Sequence, residues 1–406
     1  MNNQKVVTLG GSVLFAGLAG LSAQGAAPLF KIGSVEVRPH AAYGVVYDDN
    51  IFLEYKAKAA GLGQPGRDHD FIHTFTPGLR LNAGDAKTRQ SAYFDANYEA
   101  VFTRFTHNSG SDAIDHNASV ALGGKLNRLS VALEQSLDSR SDADAVNLAA
   151  NGRVKRKTWG TKINSDYEIS EKNSASLDLA QTIGDYKAPL VSSVDRSATL
   201  WLDYQVLPKV KAGFGGGIGY LQVDGTAANH NPNSSYYNGQ VRLDWKVTEK
   251  VSIKASGGLE YRNIQEAGAS DPTGGIFSLS ADWKAGEKTT VGLNASRGRK
   301  VSNALGATLN EETSFTASVR HGLWEGLAAT LEGGYSISHY KATSATTAAA
   351  LRNDNYFFVK PGVSYKFAER AEAKVYYQYR RNDADLAANA NDFYNTQVGL
   401  EVSYRF

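Results

Sequence analysis

The chain has 406 residues, with no Cys, one Met, 40 Gly, 21 Tyr and a formal net charge of +2. The lack of thiols excludes a disulfide scaffold, a Cys-based metal site and a thiol nucleophile, and the balanced charge supplies no basic field to gather nucleic acid. A mean hydropathy of −0.36 excludes a bundle of membrane helices, whereas a membrane β-barrel escapes that exclusion because its polar and apolar residues interleave and the average cancels.

The first segment reads as a targeting peptide. Lys5 is its only charge, Val6–Leu21 is apolar and interrupted by Gly, and Ser22–Ala27 supplies small residues. The run is short for a transmembrane helix and shows no amphipathic period. This predicts a signal peptide over 1–25, cleaved after Ala23 or Gly25, followed by one domain over 26–406 that leaves the cytoplasm by the Sec route.

From Val35 onward one pattern repeats. Val35, Val37, Ala41, Tyr43, Val45 and Tyr47 share one phase, then Phe71, Phe75, Leu79 and Leu81. Next Ala92, Phe94, Ala96, Tyr98, Ala100 and Phe102 alternate against Tyr93, Asp95, Asn97 and Glu99. Period-two alternation gives a strand one greasy and one wet face. Repeated to the C-terminus, it predicts about eighteen strands of roughly ten to fifteen residues, long enough to cross a bilayer when tilted. A propeller or solenoid would repeat residues at a fixed period, and here only the pattern repeats.

The connections carry a second signal. After even strands they are short, as at Lys125–Asn127, Ser170–Asn173, Leu207–Lys209 and Trp324–Gly326; after most odd strands they are longer and polar, as at 48–70, 139–152 and 341–354. Short periplasmic turns and long outer loops belong to barrels of the bacterial outer membrane, and an even strand count puts both ends on the periplasmic side. Aromatics carry a third. Tyr167, Tyr204, Trp245, Trp283, Phe367 and Phe406 lie beside the short turns, and Tyr47, Phe102, Trp159, Tyr237, Tyr261 and Phe357 beside the long loops. That spacing predicts two interfacial girdles with an apolar band between them. The fold class expected is all-β, a transmembrane antiparallel up-and-down barrel.

The chain closes on alternating Val398, Leu400, Val402, Tyr404 and Phe406. Such an ending resembles the last strand of outer-membrane barrels in general. The resemblance implies that Val402, Tyr404 and Phe406 form an assembly signal, with the barrel assembly machinery and outer-membrane lipid or lipopolysaccharide as partners. Directly after the first strand, Asp48-Asp49-Asn50-Ile51-Phe52 resembles the opening motif of an outer-membrane β-barrel porin family whose members often lie beside exopolysaccharide-export genes. This resemblance implies a channel in the bacterial outer membrane, with polysaccharide and periplasmic export proteins as further partners.

A barrel of this size encloses a wet lumen unless something fills it, so inward residues are the candidates for function. Both signs of charge point inward: Arg80, Lys211, Arg242, Lys254, Arg262, Arg320, Lys360, Lys374 and Arg380 against Asp95, Glu99, Asp203, Asp244, Glu260, Asp282, Glu332 and Glu401. Cross-strand ion pairing on a wet wall is the plain expectation, with weak ion selectivity. Trp201, Tyr356, Phe358 and Tyr376 also point inward, where an aromatic either stacks on sugar faces or anchors a folded-in loop. Gly213, Gly215, Gly217 and Gly219 line one inward phase, leaving a bare wall or letting the sheet bend.

No catalytic, cofactor or metal site is expected. Asp68-His69-Asp70 reads as a hydrated loop tip, and Asp48, Asp49 and Asn50 fall short of the oxygens that calcium needs. The leading expectation is a porin-like channel serving polysaccharide export or solute diffusion. The alternative is a docking barrel closed by its loops that binds a partner without transport. A rim enzyme ranks third.

Overall fold

The computed structural model describes residues 30–54, 68–84, 92–143, 153–187, 190–224, 232–266, 272–301, 308–342, 352–385 and 392–406. The signal peptide expected over 1–25 lies outside the described residues.

A short strand, β1 (Phe30–Ile32), precedes eighteen long ones. These are β2 (Val35–Asp48), β3 (Asp70–Ala83), β4 (Tyr93–Phe105), β5 (Ala113–Leu126), β6 (Leu129–Arg140), β7 (Arg156–Glu168), β8 (Asn173–Tyr186), β9 (Ser193–Leu207) and β10 (Val210–Val223). They continue as β11 (Ser234–Trp245), β12 (Val251–Ile264), β13 (Thr273–Lys284), β14 (Thr289–Val301), β15 (Thr308–Trp324), β16 (Leu327–Ala342), β17 (Arg352–Ala368), β18 (Ala371–Ala384) and β19 (Phe393–Arg405).

Each strand from β2 pairs antiparallel with the next, and β19 returns to β2 with Gln397 opposite Asp48 and Arg405 opposite His40. The sheet is therefore a closed barrel of eighteen staves. Closure removes the two free edges that an open sheet would expose, which is the condition for β-structure in lipid. The final residue takes part, since the Phe406 N–H donates to Pro39 O at 3.0 Å. β1 pairs only with Val35, Glu36 and Val37 through a turn at Gly33, whose φ is +62°. Three residues are too few to show alternation, so the sequence pattern does not reveal it.

The outside is apolar along the predicted phase. On β19, Val398, Leu400, Val402, Tyr404 and Phe406 are all outward and exposed, as are Tyr237, Val241 and Trp245 on β11. Tyr167, Tyr204, Trp283 and Phe367 are exposed beside the inner turns, and Trp159, Tyr261 and Phe357 beside the outer loops. Two outward histidines sit in this belt with their own partners: Tyr43 Oη lies 2.8 Å from His73 Nδ1 and Tyr98 Oη 2.9 Å from His116 Nδ1. A polar ring on a lipid face needs such a bond, because no water is there to replace it.

The inner turns are tight. Asn127 and Gly326 adopt φ of +53° and +78° to make two of them, as short hairpin loops require. The ladder slips at Val210/Lys211, Gly322/Trp324 and Lys366/Ala368, each beside an inner turn, where a bulge increases local twist.

Candidate functional site: the inner wall and the outer mouth

The inner wall is polar, and many of its charges meet across the ladder. Arg80 donates to Asp95 at 2.8 Å, and Lys254 lies 3.8 Å from Asp244. Arg242 grips both oxygens of Asp203 at 2.7 and 2.5 Å, with Lys211 a further 3.4 Å from the same carboxylate. Near the outer rim a chain of pairs runs from Arg262 to Glu260 (3.1 Å), on to Arg299 (3.7 Å) and then to Glu311 (3.6 Å), which Arg297 also holds. Sequence phase hides Arg297, Arg299 and Glu311, because it counts them outward. The β13–β14 ladder ends at Phe277 opposite Arg297, and beyond that end the Arg299 guanidinium turns in until its side chain is only 2% exposed. Alternation cannot report where a ladder stops.

The four inward aromatics occupy two sides of the barrel. Trp201 is on β9; Tyr356 and Phe358 are on β17, with Tyr376 next to them on β18. The structure does not gather them into one track. Trp201 is buried, with the Arg242 guanidinium 4.4 Å above its ring. Phe358 is buried as well. Tyr356 packs against a cluster of Leu53, Ala143 and Phe393, so it anchors a folded-in segment. Tyr376 stays half-exposed, with Lys360 Nζ 4.3 Å and Lys374 Nζ 5.9 Å from its ring centre.

Glycines explain how these rings fit. Trp201 stands in register with Gly215, Tyr236 with Gly219, Phe358 with Gly334, and Tyr376 with both Gly362 and Gly399. A Cβ on Gly215 would lie 2.5 Å from Trp201 Cε3, and one on Gly219, Gly334 or Gly399 would strike the ring beside it. The rings thus lie down on the bare backbone of a neighbouring strand. The row Gly213–Gly219 is covered by Asp203, Trp201 and Tyr236, its own neighbours. Flat rings leave the bore wider than upright ones would.

The outer mouth is built from Asp48-Asp49-Asn50-Ile51-Phe52. Asp48 accepts from Gln397 Nε2 at 2.6 Å, Asn395 Nδ2 at 2.5 Å and the Asn50 N–H at 2.8 Å. Asp49 accepts from the Thr396 N–H at 2.7 Å and donates its own N–H to Thr396 O at 3.1 Å. Asn50 is wholly buried and spans the turn: its Nδ2 donates to Glu54 O (3.0 Å) and Tyr394 O (2.9 Å), while its Oδ1 accepts from the Glu54 N–H (2.9 Å). These bonds clasp β2 to β19 above the membrane and bend the chain inward. Leu53 is left at φ +55°, a strained conformation for a branched side chain that persists where surrounding bonds over-determine it. Ile51 and Leu53 are buried, while Phe52 is only partly so.

A second loop meets the first. Ala143 and Arg153, at the two ends of the β6–β7 connection, form a lone antiparallel bridge, and Arg153 sits 4.7 Å over the Phe105 ring. Burial lowers the Arg153 pKa, against the pull of Asp142, Asp115 and Asp48. Ala143 follows β6 and Phe393 opens β19, strands that lie roughly 24 Å apart along the wall at about 4.8 Å per stave. Their shared cluster with Leu53 therefore bridges across the opening and narrows it.

The remaining sequence candidates are structural. The hydrated loop tip expected at Asp68-His69-Asp70 is not found at Asp70, which opens β3 wholly buried and accepts from the backbone of His107 and Asn108 at 3.0 and 2.8 Å. Two strand histidines, His321 and His339, are likewise held by neighbours, Thr289 and Asn353, at 2.8 and 2.7 Å. Asp48 and Asp49, which with Asn50 supply too few oxygens for calcium, bond within the clasp.

A closed barrel with an apolar exterior and a charged lumen is an outer-membrane channel scaffold of the porin kind. The chain belongs to the family described as "Putative beta-barrel porin 2", which it matches over residues 30–406, and its place is the bacterial outer membrane. Among solved structures it is similar to OpdK of Pseudomonas aeruginosa, crystallised with vanillate, at 12% identity and a TM-score of 0.45, covering 91% of this chain and 98% of that one. It is also similar to OccAB2 of Acinetobacter baumannii (10%, 0.46, 91% and 98%) and to the outer-membrane channel DcaP of Acinetobacter baumannii (14%, 0.44, 94% and 100%). No curated protein matches the chain.

Proposed function

We propose that this porin-like barrel conducts hydrophilic, hydroxyl-rich solutes by diffusion, with sugar chains destined for the cell surface as its cargo. The carrying observation is a lumen wall of both charge signs, from Arg80–Asp95 to Arg242–Asp203, narrowed at the mouth by the Leu53–Ala143–Phe393 bridge. Mixed charge repels neither cations nor anions strongly, and it offers hydroxyl groups donors and acceptors along the whole path. The bridge sets the bore. Planar-bilayer recording of the purified protein tests this: stable open steps with a reversal potential near zero in a salt gradient are expected. Loss of secreted polysaccharide from a strain lacking the gene is the corresponding result for cargo.

The same bridge favours a second reading, a barrel shut by its loops that serves as a docking platform. Silent bilayers with correctly folded protein would select it.

A further inference from the structure

The inner wall holds one recess whose charges are not matched to each other. It lies on the β13–β18 side, encloses about 280 Å³ and is lined by Asp282, Arg320, Glu332, Lys360, Lys374 and Tyr376, with small residues between them. Glu332 stands in register with Lys360, and Lys374 with Glu401, yet neither pair closes to an ion pair, unlike Arg80–Asp95 or Arg242–Asp203. Both ammoniums lean on the Tyr376 ring instead, at 4.3 and 5.9 Å. Two residues further along β18, Gln378 is fully buried, and neither end of its carboxamide finds a hydrogen-bond partner among the described residues. The adjacent Gln397 likewise has a free Oε1.

We infer that this recess is a binding site for a neutral sugar unit. Extending the channel reading above, the structure assigns the site its ligand by chemistry. Three cations (Arg320, Lys360, Lys374) and two anions (Asp282, Glu332) line the recess, and Glu401 stands in register with Lys374 beside it, so no large excess of either sign is present to select a carboxylate or a phosphate. Apart from a long bond from Arg320 to Ser364 Oγ at 3.5 Å, these charged side chains make no hydrogen bond or ion pair among the described residues, so the site offers donors and acceptors of both kinds around a flat ring, which is what vicinal hydroxyls and a C–H face require. The ring lies against Gly399, so its lumen side faces the recess. Lys360 rests there on a flexible four-carbon stem. A sugar would displace that ammonium from the ring and then receive its hydrogen bonds. Trp201 cannot play this part, because Arg242 is held over it by Asp203.

Two measurements separate this site from the channel reading. Calorimetric titration of the folded barrel in detergent micelles with maltotriose, and with glucuronate as the charged probe, reads binding whether or not the lumen conducts. Single-channel recording with the same probes reads passage. Tyr376→Leu is expected to weaken maltotriose binding about tenfold, a factor that corresponds to about 1.4 kcal/mol, and to shorten its current blocks, while Trp201→Leu leaves both unchanged. Lys360→Met is the second variant, expected to weaken binding with the ring in place. Equal maltotriose affinity in wild type and Tyr376→Leu overturns the site. So does glucuronate binding more tightly than maltotriose, which would make it an anion site. Binding without any conductance keeps the site and removes the channel.

Discussion

Trp201 and Tyr376 are built from the same parts and end in different states. Each ring lies flat on a glycine in register, Gly215 for one and Gly399 for the other. Each carries a cation over its face, Arg242 at 4.4 Å and Lys360 at 4.3 Å. The difference lies one layer out. Arg242 is locked by a two-point grip on Asp203, whose side chain is 1% exposed, whereas among the described residues no carboxylate lies within ion-pairing distance of Lys360. A planar guanidinium pre-organised by a carboxylate makes a lid; an ammonium on a flexible stem makes a movable cover. Structure is bought at Trp201, and at Tyr376 adaptability is kept.

The largest effect should come from the ceiling above the Tyr376 side. Asp48→Ala strips the acceptor from Gln397 Nε2 and the Asn50 N–H, leaving two buried donors unpaired, and leaves Asn395 Nδ2 only its longer bonds to Asp49 and Asn50 O. A loss of about 3–5 kcal/mol in urea unfolding, followed by emission of the five Trp, is expected from the cost of orphaned buried polar groups. The released first loop should also raise single-channel conductance. Unchanged conductance would mean that the Leu53–Ala143–Phe393 bridge does not set the bore.

Next in size is the lid itself. Arg242→Leu leaves Asp203 with only Lys211, 3.4 Å away, and uncovers Trp201. About 2–4 kcal/mol should be lost, below the figure for a fully buried pair because Arg242 is itself 29% exposed. Lys374→Leu, in the open station, should stay within about 0.5 kcal/mol of wild type, as substitutions outside paired networks usually do. Equal costs at the two positions would erase the distinction between lid and cover.

The glycines give a smaller, cleaner contrast. Gly215→Ala places a Cβ 2.5 Å from Trp201 and 2.6 Å from Leu200 O, and should cost about 1–3 kcal/mol by overpacking. Gly239→Ala, on the lipid face with nothing within 4 Å, should be neutral in the same unfolding experiment. Gly399→Ala should lift Tyr376 off the wall and shrink the recess, so its maltotriose affinity should fall along with its stability.

What the sequence discloses and what it withholds follow one rule. Alternation is a property of a strand by itself, so stave number, facing and the two girdles can be read from runs such as Val398–Phe406. Register is a property of two strands, and nothing in the run Gly213–Gly219 says that Trp201 and Tyr236 will lie on it. The clasp is further out of reach: Asp48 and Gln397 are 349 positions apart, and the motif shows only one half of the bond. Arg299 is hidden by the alternation rule itself, because pairing between β13 and β14 stops at Arg297.

The last prediction concerns a buried amide beside the open station, outside its lining. Gln378 buries a carboxamide with both ends unpaired among the described residues, flanked by Gln397 on β19 and by the gap in the β17 ladder at Lys360 and Pro361. Gln378→Leu keeps nearly the same volume and removes two polar atoms. If the amide serves only the empty barrel, its loss should leave stability unchanged or lower it. If it is retained for a solute, the empty barrel should gain about 1 kcal/mol, the lower end of the cost of an unsatisfied buried group, while maltotriose affinity falls. A gain in unfolding free energy together with weaker sugar binding is the expected pair of results. A gain in stability with unchanged binding would assign the strain at Gln378 to the fold and leave Tyr376 and Lys360 to hold the sugar alone.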